Sequence, residues 1–354
     1  MIPILYDKTV VDVATDFANF GVGALVDTTK CLVTEERNGL YECEFSYPVA
    51  GEHFSKIVPD RIVKVKSGDY INPQLFRIYR AVKPINGIAK YYAQHISYDL
   101  SLNPVVPFSA QGVSAENALK AILNNCYYRH KFLAISDITT TSDFGFAEPK
   151  SARSCFGGVE GSVLDVYGGE YEFDNFAVKL HRARGQDSGV TILYGKNLLS
   201  LNSDVNTGST YTAVYPFVKD DEGNVTTLTE KIVEVPSPPS FGEPRTLVLD
   251  LSDKIEPDEQ VTEAKLRALT NEYITRNNIG TIKQNIEISF VQLEQSKEYE
   301  SMAALERVRL CDTITVRHSA LGISVKAKVV KTVYNTLSEK YEKIEVGTIK
   351  KRLS

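Results

Sequence analysis

Leu164-Asp165-Val166-Tyr167-Gly168-Gly169-Glu170-Tyr171-Glu172-Phe173-Asp174-Asn175-Phe176-Ala177-Val178-Lys179-Leu180-His181 is the stretch around which the rest of the chain is read. It predicts a short helix stopped by the glycine pair, then a strand. Asp174-Asn175 turns the chain, because both residues tolerate the left-handed backbone of a tight hairpin. A second strand is expected from Phe176 to His181. Glu170, Glu172 and Asp174 alternate with Tyr171 and Phe173, a period of two with one wet and one packed face. No nucleophile stands beside a base here, so the stretch reads as a structural hairpin.

The chain has 354 residues, which predicts two to four domains. Apolar residues make up 43% and charged residues 24%, the balance of a globular protein rather than a disordered one. Val, Ile, Thr and Tyr recur, which favours strands. The net charge of −5 argues against a dedicated nucleic-acid binder. Cys31, Cys43, Cys126, Cys155 and Cys311 are scattered with no Cys-x-x-Cys, so reduced thiols are expected rather than a disulfide frame or zinc site. The first residues, Met1 to Asp7, have neither a basic segment nor a long apolar run. No signal peptide and no membrane anchor are expected.

Ile2 to Tyr6 predicts an opening strand. Runs at 24–34 and 40–47 flank Glu35-Glu36-Arg37-Asn38-Gly39, and Asn-Gly between β-rich runs is a strong hairpin signal. Tyr41, Cys43, Phe45 and Tyr47 alternate with polar residues. Further strands at 61–66, 74–83 and 88–97 have no helix between them, which suggests an antiparallel barrel over residues 1–104. Ser114 caps a helix at 114–125 with an apolar stripe of Ala118, Leu119 and Ile122. A polar connection over 136–142 leads to the organising stretch, and residues 105–197 form a mixed α+β domain. Strands follow at 211–219 and 226–235 around Asp220-Asp221-Glu222-Gly223-Asn224, then the stiff spacer Pro236-Ser237-Pro238-Pro239. Pro257 to Asn277 predicts the best helix, with Glu263 and Arg267 as an i,i+4 pair. Strands at 285–293, 305–316, 323–334 and 337–346 close the chain. The fold class is mainly β with α+β insertions.

Catalytic chemistry is hard to find. His53, His95, His130, His181 and His318 lie far apart, and no His-Glu-x-x-His occurs. His181, beside Arg182 and Arg184, reads as solvated or hydrogen-bonded. Cys126 and Cys155 read as structural thiols rather than peptidase nucleophiles. Glu35-Glu36 and Asp220-Asp221-Glu222 could imitate a glycosidase carboxylate pair. Both sit at predicted turns, where charge solvates a loop, and calcium binding at the second lacks the full ligand pattern. Gly157-Gly158, Gly161 and Gly168-Gly169 match no phosphate-binding loop. Lys350-Lys351-Arg352 reads as a solvated basic tail. The sequence therefore assigns no catalytic, cofactor-binding or metal residue and no cofactor.

Gly168-Gly169-Glu170-Tyr171-Glu172-Phe173-Asp174-Asn175-Phe176, then Arg184-Gly185, then Tyr194-Gly195-Lys196-Asn197-Leu198, resembles the tail-tip proteins of Gram-positive siphophages and prophages, a family also labelled prophage tail endopeptidase. Thr34 to Glu42 with Tyr47-Pro48-Val49 resembles its N-terminal hairpin. Leu310-Cys311-Asp312-Thr313-Ile314-Thr315-Val316 resembles a strand entry in which Cys311 replaces the usual Gly. Val329 to Asn335 and Glu345-Val346-Gly347 resemble the closing strands. The resemblance implies a fold like contractile-phage baseplate hubs, with two antiparallel β-barrel tube domains plus two smaller mixed domains. Mapped here, the second barrel combines 198–236 with 304–349, and 237–303 is an inserted α+β domain.

The function so implied is a structural hub of a tail tip, a trimeric ring that joins the tail tube and distal tail protein and gates the DNA channel. Its partners would be the distal tail protein, tube and tape-measure proteins, with DNA passing through the lumen and the host envelope met only indirectly. Acidic side chains are expected to line that lumen, because basic contacts are what hold phosphate. The protein would sit in the virion tail after assembly in the bacterial cytoplasm. In longer relatives enzymatic or receptor-binding domains follow this module, and the sequence ends at Ser354 just after the closing strands, so such a domain is expected to be absent. The alternative is a cell-wall hydrolase with peptidase activity.

Overall fold

The computed structural model describes residues 1–69, 71–85, 87–193, 198–220, 222–255, 261–290, 308–318 and 323–347. Two compact units divide the chain. One holds Met1–Asn202 with Ile286–Ser354, and the other holds Ser203–Asn285.

The larger unit is organised by a 13-stranded sheet. Lys30–Glu36 and Tyr41–Pro48 form its expected hairpin, with Glu35 opposite Tyr41. Asn38 takes a φ of +49° in the turn, a conformation Asn tolerates better than most residues. Tyr41, Cys43, Phe45 and Tyr47 are all buried, so the alternation fixes the core face. Phe45 stacks on Tyr91 with ring centroids 5.0 Å apart. Ile62–Val65, Gln74–Val82 and Ile88–His95 continue the sheet antiparallel, as expected.

At its other edge Lys30–Glu36 pairs with Ile323–Asn335, a 13-residue strand. That strand also pairs with Thr313–His318 and with Lys340–Gly347. The N-terminal and C-terminal strand groups thus share one ladder, a connection between residues some 300 apart that period-two patterning has no means of reporting. Each group keeps its own core. Leu5, Phe45, Phe76, Leu119, Phe156 and Leu180 belong to one apolar cluster, and Val190, Ile192, Ile314, Val316, Val329 and Ile344 belong to another.

Within residues 105–197 the helix Ala115–Asn124 is capped by Ser114, whose hydroxyl accepts the Asn117 amide at 3.4 Å. Its Ala118, Leu119 and Ile122 are fully buried, as the stripe predicts. The polar connection is irregular only at 137–140 and is flanked by paired strands. Phe108–Ser114 pairs with Thr141–Phe146, and Leu133–Ser136 pairs parallel to Ala177–His181. The organising stretch is helix Val163–Tyr167, then strands Glu170–Asp174 and Ala177–His181. Gly168, at φ +69°, stops the helix, and Asn175, at φ +50°, makes the turn one residue later than expected.

The smaller unit has its own core of Val214, Val218, Leu228, Leu251, Leu266 and Ile274. It contains strands Ala213–Lys219 and Val225–Thr227, which the sequence mapping places in the second barrel rather than with the insert. The reason is pairing. Ala213–Lys219 runs parallel to Thr246–Asp250, so its ladder lies inside the insert. The helix spans Glu263–Asn277 with Thr262 as its cap, shorter than the expected 257–277, of which 257–260 lie outside the described residues. Arg267 pairs with Glu230 instead of Glu263, whose carboxylate accepts the Thr229 hydroxyl at 2.5 Å. Its buried positions are Leu266, Thr270 and Ile274, a narrow i, i+4, i+8 stripe in which Thr270 satisfies itself on the Leu266 carbonyl.

Candidate functional site, a charged seam on the organising hairpin

The alternation read from Glu170 to Asp174 holds, but the acidic face is only partly wet: Glu172 and Asp174 keep some exposure and Glu170 is buried. Glu170 is only 3% exposed. Arg37 and Lys328 share its Oε1, Lys328 at 2.5 Å, while its Oε2 accepts the Arg184 amide at 2.7 Å. Glu172 receives Lys179 at 3.0 Å and His181 Nε2 at 3.1 Å. Asp174 receives Lys179 at 2.9 Å and the Gln74 amide at 3.0 Å. A period of two tells which side chains share a face and leaves open what covers that face. Here Arg37 and Lys328 cover Glu170, while Lys179, His181 and Arg184 engage the rest of the face.

Glu35 departs from its expected role in the same way. Rather than solvating a turn it is 6% exposed, and its carboxylate accepts Arg184 Nη1 at 2.7 Å. Arg184 also donates to the Tyr171 carbonyl at 3.1 Å. Burial works against its charge, but Glu35, Cys311 and Glu172 outweigh it and raise the guanidinium above its ordinary range. Desolvation would likewise raise Glu172 and Asp174. For Glu172, Arg184, Lys179 and His181 reverse this, and for Asp174, Gln74, Lys179 and His95 do, so both carboxylates are held below their usual range.

Gly185 explains why the Arg-Gly pair sits where it does. Its φ is +80°, and a Cβ there would lie 2.4 Å from the Cys311 carbonyl group. The close approach lets Gln186 donate to Asp312 at 2.9 Å, and Thr313 donate back to Gln186 at 2.9 Å. Cys311 itself takes a φ of +73°, the left-handed region that suits the Gly it replaces. Arg184-Gly185 and Leu310 to Val316, distant in sequence, are one contact.

A cavity of about 450 Å³ opens on this seam, with Glu35, Glu172, Asp174, Arg184, Arg309 and Asp312 in its wall. Its carboxylates are already engaged, Asp312 by the amides of Gln186 and Arg309. Glycosidase-type acid catalysis needs one carboxyl raised towards neutrality. Glu172 and Asp174 move the other way, so neither is poised as such an acid.

The other candidates are dispersed. His95 is fully buried beside the hairpin, where Nδ1 accepts the Ser97 amide at 3.3 Å and the Nε2–H that this tautomer leaves faces Gln74 Oε1 at 3.1 Å. Burial and Arg153 lower its pKa to about 3, so it stays neutral. His130 donates to the Leu123 carbonyl at 2.9 Å, and His53 lies 3.5 Å from Lys56 Nζ. His181 is hydrogen-bonded to Glu172, as its setting suggested. Cys155 is buried and Cys126 half-buried, and burial pushes their thiols up to about 12 and about 11, away from the thiolate that nucleophilic attack requires. Cys31 and Cys43 are neighbours at 3.7 Å between sulfurs. Asp220 accepts from Asn224 in a surface turn, and Asp221 lies outside the described residues, as does the basic tail at 350–352. Among the described residues no three His, Cys, Asp or Glu side chains cluster as metal ligands, and no helix is long and apolar enough to cross a membrane.

Sequence reading missed Arg37, Asn38, Arg184 and Lys328 as partners of the hairpin. The one available signal was that Lys179 and His181, the basic residues at local spacing, are too few for three acidic side chains.

Residues 186–354 match the family model described as prophage endopeptidase tail. No curated protein matches the chain. Among solved structures, it is similar to prophage tail protein gp18 from Listeria monocytogenes EGD-e at 15% identity, over 99% of this chain and 95% of that one, with a TM-score of 0.62. The 43 kDa tail protein of prophage MuSo2 from Shewanella oneidensis is 11% identical over 90% and 93%, with a TM-score of 0.62. A tail protein from Neisseria meningitidis MC58 is 8% identical over 91% and 92%, with a TM-score of 0.60. The resemblance read from the hairpin and closing strands is thereby borne out, and the fold is the mainly β fold of phage tail proteins.

Proposed function

We propose that the protein is a structural hub of a phage tail tip, a subunit of a trimeric ring that joins the tail tube and distal tail protein and gates the DNA channel. The match of residues 186–354 to the prophage tail family carries this reading, and the chain-long likeness to tail proteins supports it. The seam fits a mechanical part. Ion pairs between residues 35–37, 170–184 and 328 tie two distant segments of the larger unit to one hairpin. Exposed Leu102, Tyr127, Tyr128 and Leu133 offer apolar material for contacts with neighbouring subunits or with the distal tail, tube and tape-measure proteins. Threefold closure matches a sixfold tube if each subunit presents two tube-like parts, here 1–104 and the closing strands within 304–349. A net charge of −5 suits a lumen in which DNA slides without being held. The site of action is then the virion tail, after assembly in the host cytoplasm, with the envelope met through the rest of the tip.

The second reading is a tail-associated peptidase, which the family description favours by name. Raised thiol pKa values at Cys126 and Cys155 weigh against a cysteine mechanism. Light scattering on the protein alone and mixed with its distal tail protein tests the hub: a trimer, or a monomer that becomes a ring on mixing, is expected. An inert monomer that cleaves purified cell wall would replace the hub with the hydrolase.

A further inference from the structure

Arg153, in the short helix Ala152–Phe156, is 5% exposed, and its electrostatic neighbours among the described residues are tyrosines rather than carboxylates. Its guanidinium lies 3.7 Å from the Tyr98 ring centroid and 5.0 Å from that of Phe173. Nη1 donates to the Ser97 hydroxyl at 3.2 Å, while Nε and Nη2 have no hydrogen-bond partner. Those two nitrogens form the side-on edge of a guanidinium, the fork that matches two oxygens of a carboxylate or phosphate. Among the described residues of the larger unit, Arg37 and Arg184 are the arginines to compare: both meet a carboxylate, Glu170 and Glu35, although Nε and Nη1 of Arg37 are also without a hydrogen-bond partner. A buried charge left uncompensated is costly, so a free fork calls for an explanation.

Arg153 lines a cavity of about 260 Å³, whose wall includes Ser101, Ser154, Gly157 and Gly158 and contains no acidic side chain. Gly158 has a φ of +101°, which lets the backbone of this wall take a path that a larger residue would resist. Burial lowers the Arg153 pKa, and the opposing influences are Tyr98, by charge and by a side-chain hydrogen bond, and Tyr171.

We propose that this cavity binds an oxyanion, a carboxylate or phosphate group seated on the Nε–Nη2 edge of Arg153. The ring of Tyr98 holds the guanidinium flat, Ser97 fixes its far side, and Ser101 with the Gly157–Gly158 backbone bounds the anion. The group can arrive as free phosphate or as an acidic side chain of another tail component.

Thermal unfolding of the full chain, titrated with potassium phosphate or sodium acetate against chloride at equal ionic strength, tests this. One of the two anions is expected to raise Tm saturably in the millimolar range, and Arg153→Gln is expected to abolish the rise. A stronger phosphate effect marks a tetrahedral ligand, and a stronger acetate effect marks a carboxylate of the kind a protein partner presents. Should Arg153→Gln fail to fold, Ser101→Glu decides. A carboxylate placed on the wall should raise Tm in chloride and remove the response to added anion. No saturable rise in the unaltered protein, or a rise that persists in Arg153→Gln or Ser101→Glu, overturns the proposal.

Discussion

Asn38 and Tyr171 lie 133 residues apart, yet the Asn38 side-chain carbonyl accepts the Tyr171 amide at 2.8 Å. Its amide nitrogen donates to the Gly169 carbonyl at 3.0 Å. The turn of the N-terminal hairpin thus caps the start of the organising strand. One residue supplies both a left-handed turn and a pair of contacts to the hairpin backbone.

Separating those two roles is straightforward. Asn38→Gly keeps the turn and loses the contacts, so a loss of about 1–2 kcal/mol is expected. Asn38→Ala also strains a φ of +49° and should cost about 1 kcal/mol more. Urea denaturation of both variants gives the order, and equal losses would mean the backbone conformation is irrelevant.

Glu170→Ala would leave Arg37 and Lys328 facing each other in a buried seam. Breaking one side of such a pair costs about 3–5 kcal/mol. Replacing all three charges by apolar residues should recover most of it. A triple variant no more stable than Glu170→Ala would show that the seam does more than neutralise itself.

Gly185→Ala is expected to be severe for a different reason. Its new Cβ meets the Cys311 backbone at 2.4 Å, where nothing flexible can give way. Together with the positive φ, a loss above about 2 kcal/mol is expected. Normal stability in this variant, read from its melting curve, would contradict the close approach.

His95 makes a pH prediction. Burial holds its folded pKa near 3, below the ordinary value of 6.5, so the unfolded chain binds a proton that the folded chain refuses. The stabilisation is complete above that ordinary value and is lost as pH falls from about 6.5 towards 3, by about 1.4 kcal/mol per pH unit. His95→Gln should flatten this part of the profile. An unchanged slope between pH 6 and 4 would contradict the assignment to His95, because Glu172 and Asp174 lose their contribution only below the ordinary carboxylate range.

The smaller unit carries its own core, and Leu266→Ala should cost it about 2–5 kcal/mol. Hydrogen exchange is the right probe. Amides of Ala213–Lys219 should lose protection while those of Tyr41–Pro48 keep it, and a uniform loss would mean that the two units unfold as one.

Sequence by itself determined the local elements. The Asn38 turn, the Tyr41 to Tyr47 alternation, the Ser114 cap and the stop at Gly168 were readable because each depends on a few adjacent residues and their φ preferences. Quoted motifs also carried the likeness to tail proteins. Tertiary structure alone decided that Ile323–Asn335 pairs with Lys30–Glu36, that Ala213–Lys219 belongs to the insert, and that Glu35 and Glu170 are buried. Strand pairing and charge compensation act across space between segments hundreds of residues apart. A hydrophobic pattern reports which face a side chain shares, whereas the partner that covers that face is chosen by the fold.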